Sequence, residues 1–248
     1  MGDSPAADRT APAFYGLGGS RWRDWWTVLH PPYTAWHLSY VVIGAALAPR
    51  PSVPVLLATL GAFFLAVGVA AHALDELQGR PLGTTLGRDA LLGAAAVGLG
   101  GAVVLGVLGV VRQGPVLVPF IVVGAALAVA YNLELFGGAV HNDAVFALAW
   151  GAFPVLTAYV AQARTLSAAA AVAALAAVGL SWAQRALSSP ARMLRRSARH
   201  VEGIVVLDDG STKRLDRATL LAPIERALGA LSWATVAFAV ALAVDRLT

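Results

Sequence analysis

The chain has 248 residues, of which 58% are apolar and 13% are charged, and its mean hydropathy is +0.70. Soluble domains carry about 25% charged residues, so this composition excludes an ordinary soluble domain and indicates a polytopic membrane protein. The sequence contains no cysteine, which excludes disulfide bonds and thiolate chemistry, and its net charge of +4 becomes informative only when it is assigned loop by loop.

The N-terminal stretch, 1–24, is predicted to be a polar tail that ends at the membrane surface. Residues 1–20 are expected to be disordered, and they contain no apolar core of the kind that a signal peptide needs. The next residues, 21–26, alternate cations with indoles, a pattern typical of side chains at headgroup depth. No basic fold accompanies this pattern, so nucleic-acid binding is not expected.

Apolar stretches separated by Gly and Pro occupy most of the remaining chain. Because a membrane-spanning helix needs about 20 residues, we place spans at about 31–48, 53–75, 90–111, 115–134, 143–162, 166–187 and 222–244. The predicted fold is therefore all-α, a polytopic transmembrane bundle of about seven spans. Six spans form a body over 25–187, an insert follows over 188–221, and the last span lies within 222–248.

The distribution of positive residues predicts the orientation of the bundle. Of the 18 Lys and Arg residues, seven spans leave only four, Arg50, Arg112, Arg164 and Arg246, on one side. The other fourteen lie on the side that receives the N-terminal tail and the loops after spans two, four and six. By the positive-inside rule, the arginine-rich side is cytoplasmic, so we expect a multi-pass protein of the cytoplasmic membrane with its N-terminus inside.

The insert is the one segment that resembles soluble structure. Gly203 to Leu215 reads as two short strands around an Asp-Gly turn, which predicts a small cytoplasmic β-hairpin. Asp208 and Asp209 are interpreted as turn residues rather than metal ligands. The basic cluster from Arg192 to His200 is expected to attract the anionic headgroups of membrane lipids.

The first polar segment with chemical potential follows span two. His72, Asp75 and Glu76 stand at i, i+3 and i+4, a spacing that places them on one face of a helix end. Carboxylates are the ligands that Mg²⁺ shares with substrate phosphates, and Arg80 is suited to hold a phosphate through two hydrogen bonds. The alternative is a helix-end ion pair of little energetic value.

The second polar segment follows span four, on the same side by the charge map. It contains no Lys or Arg, so its acids have no local cation. Its candidate residues are Tyr131, Asn132, Glu134, His141, Asn142 and Asp143. Glu134 at a helix C-terminus opposes the helix dipole, whereas Asn142 or Asp143 is also explained as the N-cap of span five.

A transition-metal or di-metal site is the alternative arrangement of the same groups. His37, His72 and His141 lie at similar predicted depth, and with Asp75, Glu76, Glu134 and Asp143 they offer ligands for Fe, Mn or Zn. The chain would then be a metal-dependent membrane enzyme that acts on lipids. A third hypothesis is a non-catalytic lipid-binding protein that docks through its basic insert.

Two stretches carry a family resemblance: Asp75…Arg80-Pro81-Leu82, and Tyr131 to Gln162 with Gly137-Gly138, Gly151, Pro154 and Tyr159. Both resemble the UbiA superfamily of intramembrane prenyltransferases. The resemblance covers about 30–165 and is closest to the dihydroxynaphthoate, or menaquinone, branch. The acidic motifs are degenerate. Within the first one only Asp75 matches, and the place of the second, after span six, holds Trp182 to Arg192 without an acid pair.

The resemblance implies a helical bundle with a cytoplasm-facing cavity that transfers an isoprenyl group to a lipophilic or aromatic acceptor. The donor would be a polyprenyl diphosphate, held through Mg²⁺, and a quinone-type lipid is the related partner. On this hypothesis Asp75, Glu76 and Glu134 are catalytic. The substrate-binding residues would be Arg80, Tyr131, Asn132, His141 and Asn142, and the metal ligands would be His72, Asp75, Glu76 and Asp143.

Overall fold

The computed structural model describes residues 13, 15–17 and 20–247 of the chain. Most of the predicted tail, 1–12 with 14, 18 and 19, lies outside the described residues. The described part folds into α-helices and one two-stranded antiparallel sheet. The helices are α1 (Arg21–Val28), α2 (Pro31–Ala46), α3 (Val53–Phe63), α4 (His72–Leu77), α5 (Arg88–Gln113), α6 (Val118–Asn132), α7 (Asp143–Ala147), α8 (Phe153–Ala163), α9 (Ala168–Arg192) and α10 (Arg217–Leu247).

Wider π-helical turns join several of these helices into longer rods. They lie at Phe64–Ala71 between α3 and α4, at Leu148–Ala152 between α7 and α8, and at Met193–Ser197 after α9. Within the described chain, six helical segments are long and apolar enough to cross a membrane: Val53–Leu77, Arg88–Gln113, Pro115–Asn132, Asp143–Ala163, Ala168–Ser197 and Arg217–Arg246. The protein is therefore a helical membrane protein, as its composition predicted.

Helix α2 corresponds to the first predicted span, but it has only 16 residues and is not among these six. It packs most extensively against α8 and α10, with Trp36 and Tyr40 fully buried. At Gly44 a Cβ atom would lie 2.2 Å from the carbonyl oxygen of Val155, so only glycine permits this approach of α2 to α8. Helix α2 is therefore the buried centre of the bundle.

The two ends of α2 reach the two ends of the bundle. At its start, the ring of His30 lies 4.4 Å from that of His72, where the rod Val53–Leu77 finishes. Beyond its last turn, Arg246 donates to the carbonyl oxygens of Ala46 and Ala48 at 3.2 and 3.3 Å, where α10 finishes. The short helix thus has a longer helix in contact with each of its ends.

The insert contains the predicted hairpin, but the insert itself begins later in the chain than predicted. Strands β1 (Gly203–Val206) and β2 (Thr212–Leu215) pair antiparallel, with Gly203 opposite Leu215. Asp209 accepts a hydrogen bond from the Ser211 backbone at 2.9 Å, which is a turn role. The helical rod from α9 continues through Pro190 to Ser197, so the predicted boundary at 188 wrongly places ten helical residues in the insert.

Candidate functional site

A polar cavity of about 310 Å³ opens at the end of the bundle where α4, α6 and α9 finish. The first predicted segment contributes His72 and Asp75. The second contributes four lining residues: Tyr131, Asn132, Glu134 and His141. The two segments are separated by about fifty residues of chain, which form α5 and α6. The two polar segments therefore meet at one cavity.

All three π-helical turns carry or adjoin residues of this cavity. His72 directly follows the first turn, Trp150 lies within the second, and Arg195 and Arg196 lie within the third. A π turn rotates the residues after it relative to an ideal α-helix, and such turns are frequent at functional sites. His72, Trp150, Arg195 and Arg196 of the cavity lining therefore lie in, or directly after, an irregular turn of their helices.

Three cavity histidines have the same tautomer, because each Nδ1 faces a backbone carbonyl oxygen. The Nδ1 atoms of His37, His72 and His141 lie 3.0, 3.2 and 3.0 Å from the carbonyl oxygens of Trp150, Gly68 and Tyr131. A carbonyl only accepts, so Nδ1 carries the proton, and a neutral ring then has its lone pair on Nε2. Each of these rings therefore leaves Nε2, rather than Nδ1, for a contact with a ligand.

The N-terminal segment forms one wall of the cavity. Ala13, Tyr15 and His30 line it, and the Tyr15 hydroxyl is hydrogen-bonded to Nδ1 of His30. Burial lowers the pKa of His30 well below its usual value, and the nearby His72 lowers it further. Burial also raises the pKa of the Tyr15 hydroxyl well above its usual value. Both side chains are therefore uncharged at neutral pH.

The arginines of the α9 rod form the opposite wall, a role that the sequence analysis missed. Arg185, Arg192, Arg195 and Arg196 line the cavity, at spacings that recur on one helical face. Arg195 pairs with Glu225 on α10 through two bonds of 2.5 and 2.8 Å. Arg196 and Arg192 attract the Asp75 carboxylate across the cavity. This spacing would have been visible in the sequence had the helix been continued through Pro190.

The charges of this wall make the cavity suited to an anion. Among its described lining residues, four guanidinium groups face three carboxylates, those of Asp75, Glu134 and Glu225. Glu134 is about half exposed, so water screens its charge. Asp143, which pairs with Arg185 from outside the lining, is also about half exposed and screened by water. The half-buried guanidinium groups therefore outnumber the carboxylates that are equally shielded from water, and a phosphate or diphosphate group would correct the balance.

Glu76 does not face the cavity, and the structure gives it a different role from the predicted one. Its carboxylate is fully buried and accepts from Leu82 N at 2.9 Å, Thr84 N at 3.0 Å and Thr84 Oγ1 at 2.8 Å. These donors belong to the loop 78–87 that leads to α5. If Glu76 pointed elsewhere, these donors would lose their hydrogen-bond partner. Leaving them unpaired would cost more free energy than Glu76 would gain by facing the cavity.

Arg80 and Asp24 complete the same loop. Arg80 donates to the carbonyl oxygens of Thr84 and Leu86 at 3.3 and 2.6 Å, so it closes the turn and is not among the cavity-lining residues. Asp24 on α1 accepts from Thr85 N at 2.9 Å and Thr85 Oγ1 at 2.5 Å. The predicted first acidic segment is thus divided between the cavity, through His72 and Asp75, and a structural loop, through Glu76 and Arg80.

Asn142 and Asp143, two further predicted site residues, lie outside the cavity lining. Asn142 caps α7 by accepting from Val145 N at 2.9 Å, which is the capping role considered in the sequence analysis. Asp143 pairs with Arg185 Nε at 2.7 Å. Asn132 lines the cavity, and its amide donates to the carbonyl oxygen of Ala128 at 2.7 Å. Asp143 therefore contacts the cavity lining through Arg185.

The predicted metal ligands do not assemble into a complete set. Among the residues that the structure describes, no three His, Cys, Asp or Glu side chains converge as a protein-held metal ion requires. Glu76 and Asp143 are engaged in the contacts given above, and neither lines the cavity together with His72 and Asp75. A Mg²⁺ ion carried by substrate phosphates needs only one or two carboxylates, and for that ion Asp75 stays a prediction.

A second cavity, apolar and of about 400 Å³, lies between α3, α5, α6 and α8. It follows α5 from Leu99 to Gln113, a length of about 21 Å at 1.5 Å per residue. Trp150 lines both this groove and the polar cavity. The arrangement therefore offers adjoining positions for an anionic head and an apolar tail.

Comparison of the chain with protein-family models, with curated proteins and with solved structures finds no match.

Proposed function

We propose that this protein binds an isoprenyl diphosphate and transfers its isoprenyl group to a lipophilic or aromatic acceptor, as a divergent UbiA-like prenyltransferase. The observation that carries the proposal is the junction at Trp150, where the arginine-lined cavity adjoins the apolar groove. A ligand that occupies both compartments must have an anionic end and a long apolar end. An isoprenyl diphosphate has both.

The α9 wall supplies the recognition of the diphosphate. Guanidinium groups bind phosphate oxygens through paired, charge-assisted hydrogen bonds. Arg192 is half-buried and donates to Ser189 Oγ at 3.2 Å, which holds its side chain over the cavity. In the proposed enzyme, arginines therefore do part of the charge neutralisation that acidic motifs and metal ions do in the family it resembles.

The proposed reaction separates charge and then removes a proton. The bond between the allylic carbon and the diphosphate oxygen breaks, and the oxygen keeps the electron pair beside the arginines. The allylic carbon forms a bond to a nucleophilic atom of the acceptor, which then loses a proton. A neutral imidazole of the cavity accepts this proton on Nε2. A Mg²⁺ ion bound to the diphosphate and Asp75 would add further neutralisation.

The proposed orientation follows the charge map of the sequence. We infer that α2 is a seventh crossing, because it reaches both ends of the bundle. The cavity would then open to the cytoplasm, with the N-terminus on the same side, in the inner membrane. Because the chain has no cysteine, a single cysteine can be introduced in α1 or in the α2–α3 turn. A membrane-impermeant thiol reagent should label these two positions from opposite sides of the membrane.

Purified protein in detergent, supplied with radiolabelled geranylgeranyl diphosphate and a lipid extract, tests the reaction. We expect a labelled lipophilic product and released diphosphate. Asp75→Asn should lower the turnover about tenfold or more, because Asp75 is the proposed carboxylate ligand of the Mg²⁺ ion that the diphosphate carries. Asp89→Asn, an exposed change on α5, is the matched control and should keep full activity. A wild-type protein that neither binds nor consumes any isoprenyl diphosphate would overturn the proposal.

The second candidate function is lipid binding without turnover. It is favoured by the arginines that stand where the family it resembles carries a second acidic motif, because they bind a diphosphate without a metal ion. The same experiment separates the two functions. Saturable binding without release of diphosphate from any isoprenyl donor would support binding alone.

A further inference from the structure

The hairpin beyond the α9 rod exposes one apolar strand. It lies between the segments Ala168–Ser197 and Arg217–Arg246, which are both long and apolar enough to cross a membrane. On β1 the side chains of Ile204 and Val206 are 69% and 70% exposed, and the run from Ile204 to Leu207 contains no charge. Exposed edge strands normally carry charges or Pro, which prevent pairing with another chain. The composition of β1 is therefore that of a strand that another chain covers.

The register of the hairpin opens the outer edge of β1 at the same two residues. Leu207 N donates to Ser211 O at 2.8 Å, so these two residues form a hydrogen-bonded pair. Such pairs alternate with non-hydrogen-bonded pairs along an antiparallel ladder, so Ile204 and Val206 direct their N–H and C=O groups away from β2. The described part of the chain supplies no third strand to this sheet. The most exposed aliphatic side chains of β1 therefore belong to the residues whose backbone groups are open to a further strand.

Acidic residues flank this open edge. Glu202 directly precedes β1 and Asp208 follows Leu207, each two residues away from an outward-facing position. Glu202 also contacts His200 and Arg214 at 3.1 and 3.8 Å, but these contacts are exposed and of little energetic value. A strand that pairs with this edge would therefore gain from two aliphatic residues at alternate positions and from a cation at each end.

We propose that the open edge of β1 binds an extended segment of a partner protein as a third strand, and that this segment carries two aliphatic side chains between two basic ones. The backbone of the segment would pair with the outward N–H and C=O groups of Ile204 and Val206, and its aliphatic side chains would cover theirs. The hairpin follows the α9 rod, whose Arg195 and Arg196 line the polar cavity. The partner would therefore dock on the cavity side of the bundle.

Two other occupants fit the edge less well. A second copy of β1, paired antiparallel about Val205, would place the acids Glu202 and Asp208 opposite each other, and like charges directly opposite destabilise a sheet. An anionic lipid surface gains no net attraction, because residues 198–216 carry four acids against three Lys or Arg residues. Arginines of the predicted lipid-binding cluster, such as Arg192, line the cavity instead.

Fluorescence anisotropy with labelled peptides tests the proposal, with the full chain in phosphatidylcholine nanodiscs. The probe is Lys-Thr-Val-Thr-Ile-Thr-Lys, and the control peptide, Glu-Thr-Val-Thr-Ile-Thr-Glu, differs only in the sign of its charges. We expect saturable binding of the basic peptide, about tenfold tighter than that of the acidic peptide. Val206→Pro removes an outward N–H group and leaves the bonds to β2 intact. It should weaken the binding of the basic peptide about tenfold or more.

Thr212→Pro is the matched control, because Thr212 lies opposite Val206 on β2 and its N–H group points to the other edge of the hairpin. It should bind the basic peptide as the wild type does. Equal binding of the two peptides, or equal effects of the two proline variants, would overturn the proposal. So would a lack of peptide binding. Self-association that Val206→Pro abolishes would then assign the edge to a second copy. Blue-shifted emission from a dye on Val206→Cys in phosphatidylglycerol nanodiscs would assign it to the lipid surface.

Discussion

Arg192→Gln is expected to weaken the binding of geranylgeranyl diphosphate by about 30- to 100-fold, the value of one or two charge-assisted hydrogen bonds in a half-buried site. The guanidinium group of Arg192 lies in the wall that the diphosphate would contact and acts on Asp75 across the cavity. Glutamine keeps a hydrogen-bond donor but loses the charge and the second arm. Isothermal titration calorimetry of the purified protein in detergent measures the change.

Arg199→Gln is the matched control for this prediction. Arg199 follows the end of the α9 rod, and its side chain is exposed, away from the cavity-lining residues. It carries the same charge, so a merely general attraction between a basic protein and an anion would respond equally to both variants. Equal losses for Arg192→Gln and Arg199→Gln would contradict the assignment of the diphosphate to the cavity.

Glu76→Ala is expected to lower the free energy of unfolding by about 4 kcal/mol or more. Each hydrogen bond to a charged acceptor contributes roughly 1.5–3 kcal/mol, and the variant removes three such bonds from the loop 78–87. The fully buried carboxylate also leaves an empty space beneath this loop. The measurement is thermal unfolding in detergent, followed by circular dichroism.

Glu76→Gln and Asp89→Ala sharpen this prediction. Glutamine keeps an oxygen for Thr84 but turns its NH₂ group toward the donor of Leu82, so an intermediate loss is expected. Asp89 is an exposed acid in the first turn of α5, and its loss should cost less than about 1 kcal/mol. If Glu76→Ala abolished diphosphate binding but left the melting temperature unchanged, Glu76 would belong to the site rather than to the loop.

The class of fold was predictable because it depends on composition and periodicity. A long apolar stretch in a membrane has few alternatives to a helix. The Asp-Gly turn at 209–210 predicted the hairpin at the residues where it lies. The end of α9 was predicted too early because Ser-Ser-Pro is a typical break in soluble proteins. In a packed membrane bundle the helix tolerates Pro190, and three arginines therefore belong to the cavity rather than to a surface insert.

The sequence alone could not assign different roles to adjacent residues of one motif. Asp75 and Glu76 are chemically similar neighbours, and one faces the cavity while the other holds a loop. The deciding factor is the set of backbone donors at Leu82 and Thr84, whose positions exist only in the folded chain.

Photolabelling tests most directly the central claim that head and tail positions form one binding site joined at Trp150. The probe is a geranylgeranyl diphosphate with a diazirine on its last isoprene unit, and the labelled peptides are identified by mass spectrometry. We expect labels on groove residues of α5 and α6, such as Val103 and Phe120, and we expect inorganic diphosphate to prevent them. Labels confined to the outer surface of α10, or labels that inorganic diphosphate leaves unchanged, would contradict the claim.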